Sequence, residues 1–190
     1  HFYRFTELAV KDIALGGLNH LCALDMAGTV WMMTLATEDN TNRKWIKYPV
    51  SAQRISCAAD GSIAVIDNVQ RALVFNGNKW DILPGGQLKS IFHLSREEIY
   101  AIRQDNTLWV WHGKAWSFVA VGIRHMAGKN RDRMLVLDVQ GRPFLLTRVP
   151  HYQLRQLPGK DLIDIVEFSL GHLMAIDKFG GICESVLSEL

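Results

Sequence analysis

The sequence predicts an all-β fold: a five-bladed β-propeller of four-stranded antiparallel blades, closed by the N-terminal strand. Three observations lead there. A short apolar run ending in Asp, or once in Arg, recurs five times, with Asp25, Asp67, Arg103, Asp138 and Asp177 separated by steps of 42, 36, 35 and 39 residues. Each copy carries the same succession of short apolar runs, and the last copy lacks a fourth run that the N-terminus can supply. A period of about 40 residues with several strands per copy belongs to a closed ring or a stacked array.

The first run of each copy is residues 10–15, 54–58, 88–93, 123–127 and 162–166. The second ends on the anchor residue: 20–25, 62–67, 98–103, 133–138 and 172–177. The third follows a short turn: 28–34, 71–75, 106–111, 142–147 and 181–185. The fourth opens on Trp45, Trp80 or Trp116 in the first three copies and spans 45–50, 80–85 and 116–121. In the fourth copy it is 154–159, with the aromatic moved to Tyr152. The runs are rich in Val, Ile, Leu and aromatics and are bounded by Gly, Asn, Asp and Pro, which is strand patterning. No segment keeps an i, i+3, i+4, i+7 apolar stripe long enough for an ordinary helix.

The fifth copy stops at Leu190 after its third run. Residues 3–8, from Tyr3 to Leu8, match 45–50 in length and pattern, aromatic first and apolar last. Strand edges left open are aggregation sites, so a ring is expected to close by lending this strand to its last blade. The blades are then 9–50, 51–86, 87–121, 122–159, and 160–190 completed by 1–8, in a single domain.

With 190 residues, 48% hydrophobic and 21% charged, the chain has material for a soluble core. No apolar stretch approaches the ~18 residues that span a bilayer. The opening at His1, without Met or a signal-like run, reads as a processed or trimmed domain. Cys22, Cys57 and Cys183 fall in three different repeats without a C-x-x-C pair. They are expected to be small buried side chains rather than a disulfide or zinc framework, which favours a reducing, cytoplasmic compartment.

The recurring Asp after the second run has two readings: a crown of carboxylates for a cation, or a residue that opens a tight turn by bonding its own backbone. The turn reading is expected, because blade three carries Arg103 instead and a ring holds the positions apart. The six Trp residues recur at repeat positions and are expected to wedge blades together; the alternative is a platform for sugar stacking. The seven His residues show no metal-ligand spacing, and no nucleophile elbow, P-loop or dinucleotide fingerprint is present. No metal and no cofactor are expected.

Trp80-Asp-Ile-Leu-Pro-Gly85, followed by Ile99-Tyr-Ala-Ile102 and Leu108-Trp109, resembles tectonin-type repeats. The resemblance covers essentially the whole chain, and the five-copy count looks like the tachylectin type. It implies a non-enzymatic binder of glycans or proteins. Regulator-of-chromosome-condensation propellers look less similar, their repeats being longer and richer in glycine.

A binding module is therefore expected rather than an enzyme, with a protein partner ahead of a glycan. The polar residues at one repeat position, His20, Ser62, Glu98, Arg133 and His172, differ from blade to blade. Non-equivalent surfaces suit one asymmetric partner better than a repeated sugar. A near-neutral net charge of +2 argues against nucleic acid, despite basic residues around Lys129–Arg133. The candidate contacts are Trp111 and His112 at one hairpin, Arg131 and Arg133 on the next blade, and Glu38 and Arg43 in the long polar loop 36–44. An enzyme would need an acid–base pair at the mouth of the ring.

Overall fold

The computed structural model describes residues 8–16, 20–34, 45–130, 132–148, 151–169 and 172–187. The regular elements among them are strands throughout. They are β1 (Val10–Gly16), β2 (His20–Asp25), β3 (Thr29–Thr34), β4 (Trp45–Cys57), β5 (Ile63–Asp67), β6 (Ala72–Phe75), β7 (Trp80–Ile82), β8 (Leu88–Ser95) and β9 (Glu98–Arg103). Then follow β10 (Leu108–Trp111), β11 (Trp116–Ala120), β12 (Ile123–Asn130), β13 (Arg133–Asp138), β14 (Pro143–Thr147), β15 (Gln153–Gln156), β16 (Leu162–Ser169), β17 (His172–Asp177) and β18 (Ile182–Val186).

The five expected strand groups form four sheets. Strands β1 to β7 lie in chain order in one seven-stranded sheet, and β8–β11, β12–β15 and β16–β18 form the other three. The first two repeats merge because β4 is one continuous strand. Its first half pairs with β3, from Trp45 opposite Met33 to Ser51 opposite Thr29. Its second half pairs with β5, from Ala52 opposite Asp67 to Cys57 opposite Ile63. The reason lies in residues 51–53, Ser-Ala-Gln, which contain neither Gly nor Pro, whereas the later junctions carry Pro84-Gly85-Gly86, Gly122 and Pro158-Gly159. Of the expected closing strand, residues 1–7 lie outside the described residues.

The repeats share two backbone devices. The pairing of first to second strand slips at one equivalent place: between Val10 and Asp12, Ala52 and Arg54, Ile123 and His125, and Leu162 and Asp164. A bulge at that point adds twist to each of these four repeats. The turn after the second strand places its fourth residue in the left-handed region: Gly28, Gln70, Asn106, Gly141 and Gly180, with φ from 64° to 85°. The carbonyls of the first four then accept the N–H that opens the next repeat: Ala52 to Gly28 (2.8 Å), Leu88 to Gln70 (3.1 Å), Ile123 to Asn106 (2.9 Å) and Leu162 to Gly141 (3.0 Å).

The chain divides into two compact units, His1–Ala101 with Trp111–Trp116, and Ile102–Val110 with Ser117–Leu190. In the first, Cys22, Leu24 and Val30 pack on Ile55, Cys57, Ile63, Val65 and Leu73 of the following repeat. Ala64, Ile66, Ala72 and Val74 pack in turn on Leu88, Ile91, Ile99, Ala101 and Trp111. In the second, Leu135, Leu137 and Leu145 pack on Leu162, Ile165, Leu173 and Ala175. Both faces of β2, β5, β9 and β13 are thereby buried, which is why they read as continuous apolar runs, whereas β17 keeps one face exposed. The aromatics wedge these junctions as expected. Tyr48, Phe75 and Trp80 stack within 4.7–5.9 Å of one another, and Trp111 lies 5.6 Å from Trp116.

Candidate functional site

The recurring carboxylates are spent on the turns. Asp25 accepts the Thr29 amide and the Trp31 indole N–H, at 2.8 and 2.9 Å. Asp67 accepts the Val69 and Arg71 amides (3.0 and 2.8 Å) and the Arg71 guanidinium (2.9 Å). Asp138 does the same with the Gln140 and Arg142 amides and the Arg142 side chain, the last at 2.6 Å. Asp177 accepts the Phe179 and Gly181 amides, both at 2.8 Å. In the third repeat Asp105 takes over by accepting the Thr107 amide and hydroxyl. Burial works to raise the Asp25 and Asp138 carboxyls, but these donors outweigh it and hold both below the usual carboxylate range. Among the described residues, no group of three His, Cys, Asp or Glu side chains converges as a metal site.

What such rigid turns display is apolar. The two tip residues after each anchor include Met26 and Val69 in the first unit, and Val139 and Phe179 in the second; all four are exposed. In the second unit the tips form a row. The Val139 amide donates to the Gly122 carbonyl (2.8 Å), next to exposed Val121. The Lys178 amide donates to the Asp161 carbonyl (2.8 Å), beside Leu162, which bonds Gly141. Phe179 is 83% exposed although its own amide is fixed by Asp177. Cations flank the row: Arg142 lies over the Phe144 ring at 5.8 Å and Lys178 over Phe179 at 5.1 Å. Both keep about half their side-chain surface in solvent, at 45% and 50%.

The polar positions at the other end of the second strands are not surface positions. Ser62 and Glu98 are buried, Ser62 facing His93 Nε2 at 3.3 Å and Glu98 accepting from the Tyr100 hydroxyl at 3.0 Å. Arg133 reaches Glu167 of the next repeat at 2.8 Å, with side chains only 14% and 10% exposed. Ser62 and Arg133 thus tie neighbouring repeats, while Glu98 bonds within its own strand. Burial depresses His93 to about 4, so its ring is neutral. Ser62 in turn donates to Asp60.

Of the contacts expected from sequence, Trp111 is packed in the core of the first unit and has no broad face to offer. Its place two residues beyond Trp109 put it on one strand face, and the packing of Trp116 covers that face. His112 is exposed at the start of its hairpin. Arg133 belongs to the second unit and is engaged with Glu167. Arg131, Glu38 and Arg43 lie outside the described residues. Cys22 and Cys57 are buried as expected, close enough to share a hydrogen bond that, with burial, raises the Cys22 thiol. Cys183 departs from expectation: it is exposed, on β18, where every residue is exposed. In Asp138-Val-Gln-Gly and Asp177-Lys-Phe-Gly the Asp carries the turn signal and the apolar tip residue stands apart from it. The signal was the apolar residue in a turn where Asn, Asp or Ser is the usual choice.

No protein-family model matches the chain, and no curated protein does. Solved structures do. Prp20p from Saccharomyces cerevisiae, described with binding to Gsp1p and histones, aligns over 95% of this chain and 58% of its own, with 15% identity and TM-score 0.67. Human WBSCR16 aligns over 95% and 63%, at 8% identity and TM-score 0.70. YCF48 bound to a D1 peptide aligns over 95% and 64%, at 15% identity and TM-score 0.61. These are propeller-type proteins, so the fold is of that type. What the chain shares with these neighbours is the fold, at 8–15% identity; the resemblance to tectonin-type repeats is not matched by a family model. The chain spans about three fifths of the length of these neighbours.

Proposed function

We propose that the chain is a non-enzymatic recognition module whose repeats act as propeller blades and whose exposed turn tips bind a protein partner. One observation carries the reading: rigid, hydrogen-bonded turns hold Val121, Val139 and Phe179 out in solvent beside Arg142 and Lys178. Apolar side chains next to cations over aromatic rings are the residue mix of protein interfaces. A turn built only to reverse the chain has no use for an exposed Phe. Two of the structural neighbours are described with protein or peptide ligands, which supports the same direction. The polar groups that would hold a sugar at each blade are instead taken up in the turns and between repeats.

Affinity capture with the whole chain, run beside a glycan array, tests this. The expected result is a protein retained through washing and a blank array. Saturable glycan binding at more than one sugar per chain would overturn it. A protein lost on changing His112→Ala with Arg131→Glu, and kept on changing Phe179→Ser, would move the contact to the hairpin end.

A further inference from the structure

We propose that Cys22 and Cys57 form a dithiol that a hydroperoxide oxidises to a disulfide, locking the first repeat to the second. The inference does not depend on which partner the turn tips bind.

The two sulfurs come from different repeats of the first unit. Cys22 lies on β2, opposite Ala14 of β1. Cys57 ends β4, in the half that pairs with β5, opposite Ile63. They are 35 residues apart in sequence and meet in one apolar cluster with Leu24, Ile55, Ile63 and Val65. Strand β1 carries small residues where it meets them. Ala14 packs on that cluster, and two residues further Gly16 sits against the second sulfur. A Cβ at Gly16 would lie 2.3 Å from Cys57 Sγ and 2.3 Å from the Ala58 carbonyl oxygen. Gly16 is not in the left-handed region, so its backbone conformation does not ask for glycine; the close approach of Cys57 and Ala58 does.

Hydrogen bonding divides the roles. The Cys22 thiol donates to Cys57, and this bond, with burial, raises Cys22. The same bond holds the Cys57 thiol below its ordinary range, against burial and the charge of Asp60. Cys22 is fully buried, whereas Cys57 keeps 7% exposure. Cys57 is therefore the thiolate that meets the peroxide, and Cys22 the sulfur that resolves it. The Cys57 sulfur attacks one peroxide oxygen; an S–O bond forms, the O–O bond breaks, and the alkoxide leaves with the Cys57 proton as an alcohol, or as water for hydrogen peroxide. The Cys22 sulfur then attacks the Cys57 sulfenic sulfur; the S–S bond forms, the S–O bond breaks, and hydroxide leaves with the Cys22 proton as water. Two electrons pass from the thiols to the peroxide. The new link restrains the unfolded chain over residues 22–57 and ties two repeats that are otherwise held by packing and by β4.

The whole 190-residue chain carrying Cys183→Ser, which removes the exposed thiol, is treated with hydrogen peroxide under folding conditions. Remaining thiols are blocked with iodoacetamide in denaturant, and mass spectra of the intact and digested chain are taken before and after reduction. The expected result is a monomer lighter by two hydrogens, with one peptide linking Cys22 to Cys57 and both thiols recovered on reduction. Its Tm lies several degrees above that of the reduced chain. Cys22→Ala should stop Cys57 at the sulfenic acid, trapped by dimedone, and Cys57→Ala should leave Cys22 unreacted. The mass of the chain that keeps both thiols is decisive whether or not these variants fold. Two free thiols after peroxide, a Cys57 that gains two oxygens while Cys22 stays free, or a link between chains overturns the proposal. So does a disulfide that forms only in urea or that lowers Tm.

Discussion

His93 shows how a side chain's surroundings set a measurable property. It is 3% exposed, held between Ser62 and the backbone, and burial depresses its proton affinity to about 4. In the unfolded chain it titrates near the ordinary 6.5. As pH falls from 6.5 to 4 the unfolded state takes up the proton and the folded state does not, so stability is full above 6.5 and falls across that window. The loss should approach about 3 kcal/mol by pH 4, and His93→Gln should remove most of the slope in urea unfolding. A variant as acid-sensitive as the parent would place the effect elsewhere. Gly141 is the second case. At φ 77°, an added Cβ would sit 2.5 Å from the Leu162 carbonyl oxygen, so Gly141→Ala should cost about 2 kcal/mol or more. The same change at Gly85, where a Cβ meets nothing within 4 Å, should cost less. The role of the anchor Asp residues was legible in sequence because a turn carboxylate acts on neighbours within four residues. The burial of Ser62 and Arg133 was not, because His93 and Glu167 lie in other strands.

The element scale was the most legible. Second strands 20–25, 98–103, 133–138 and 172–177 appear with the bounds read from the apolar runs, since turn residues bound them. The merger of two groups through β4 is not legible, because the absence of Gly and Pro at 51–53 leaves no positive mark in a sequence. Contacts between repeats behave as elements too. Removing one member of the Arg133–Glu167 pair, as in Glu167→Ala, should cost about 3 kcal/mol, because the remaining charge stays largely out of water. The double change Arg133→Met with Glu167→Leu should recover much of that loss. Equal destabilisation by single and double variants would show that the two charges are not coupled. Trp111→Ala should lower stability by about 3–5 kcal/mol, as expected for an aromatic wedge rather than a surface contact.

At the scale of the molecule, the propeller-type fold follows from five repeats that each expose one apolar face to the next. The periodicity of the anchors carries it in the sequence. The interaction surface was not visible in the same way. A row of turn tips exists only once the stitching bonds place Val121, Val139 and Phe179 along one end of the second unit. The role proposed for this row is to bind a protein. The most direct measurement is calorimetric titration of the captured partner into the parent chain and into Val139→Ser with Phe179→Ser. Both positions are exposed, so the substitutions should leave Tm within about 2 °C. A loss of affinity of at least about tenfold, equivalent to about 1.4 kcal/mol, is the predicted result. Equal affinity in a variant that melts with the parent would contradict the claim.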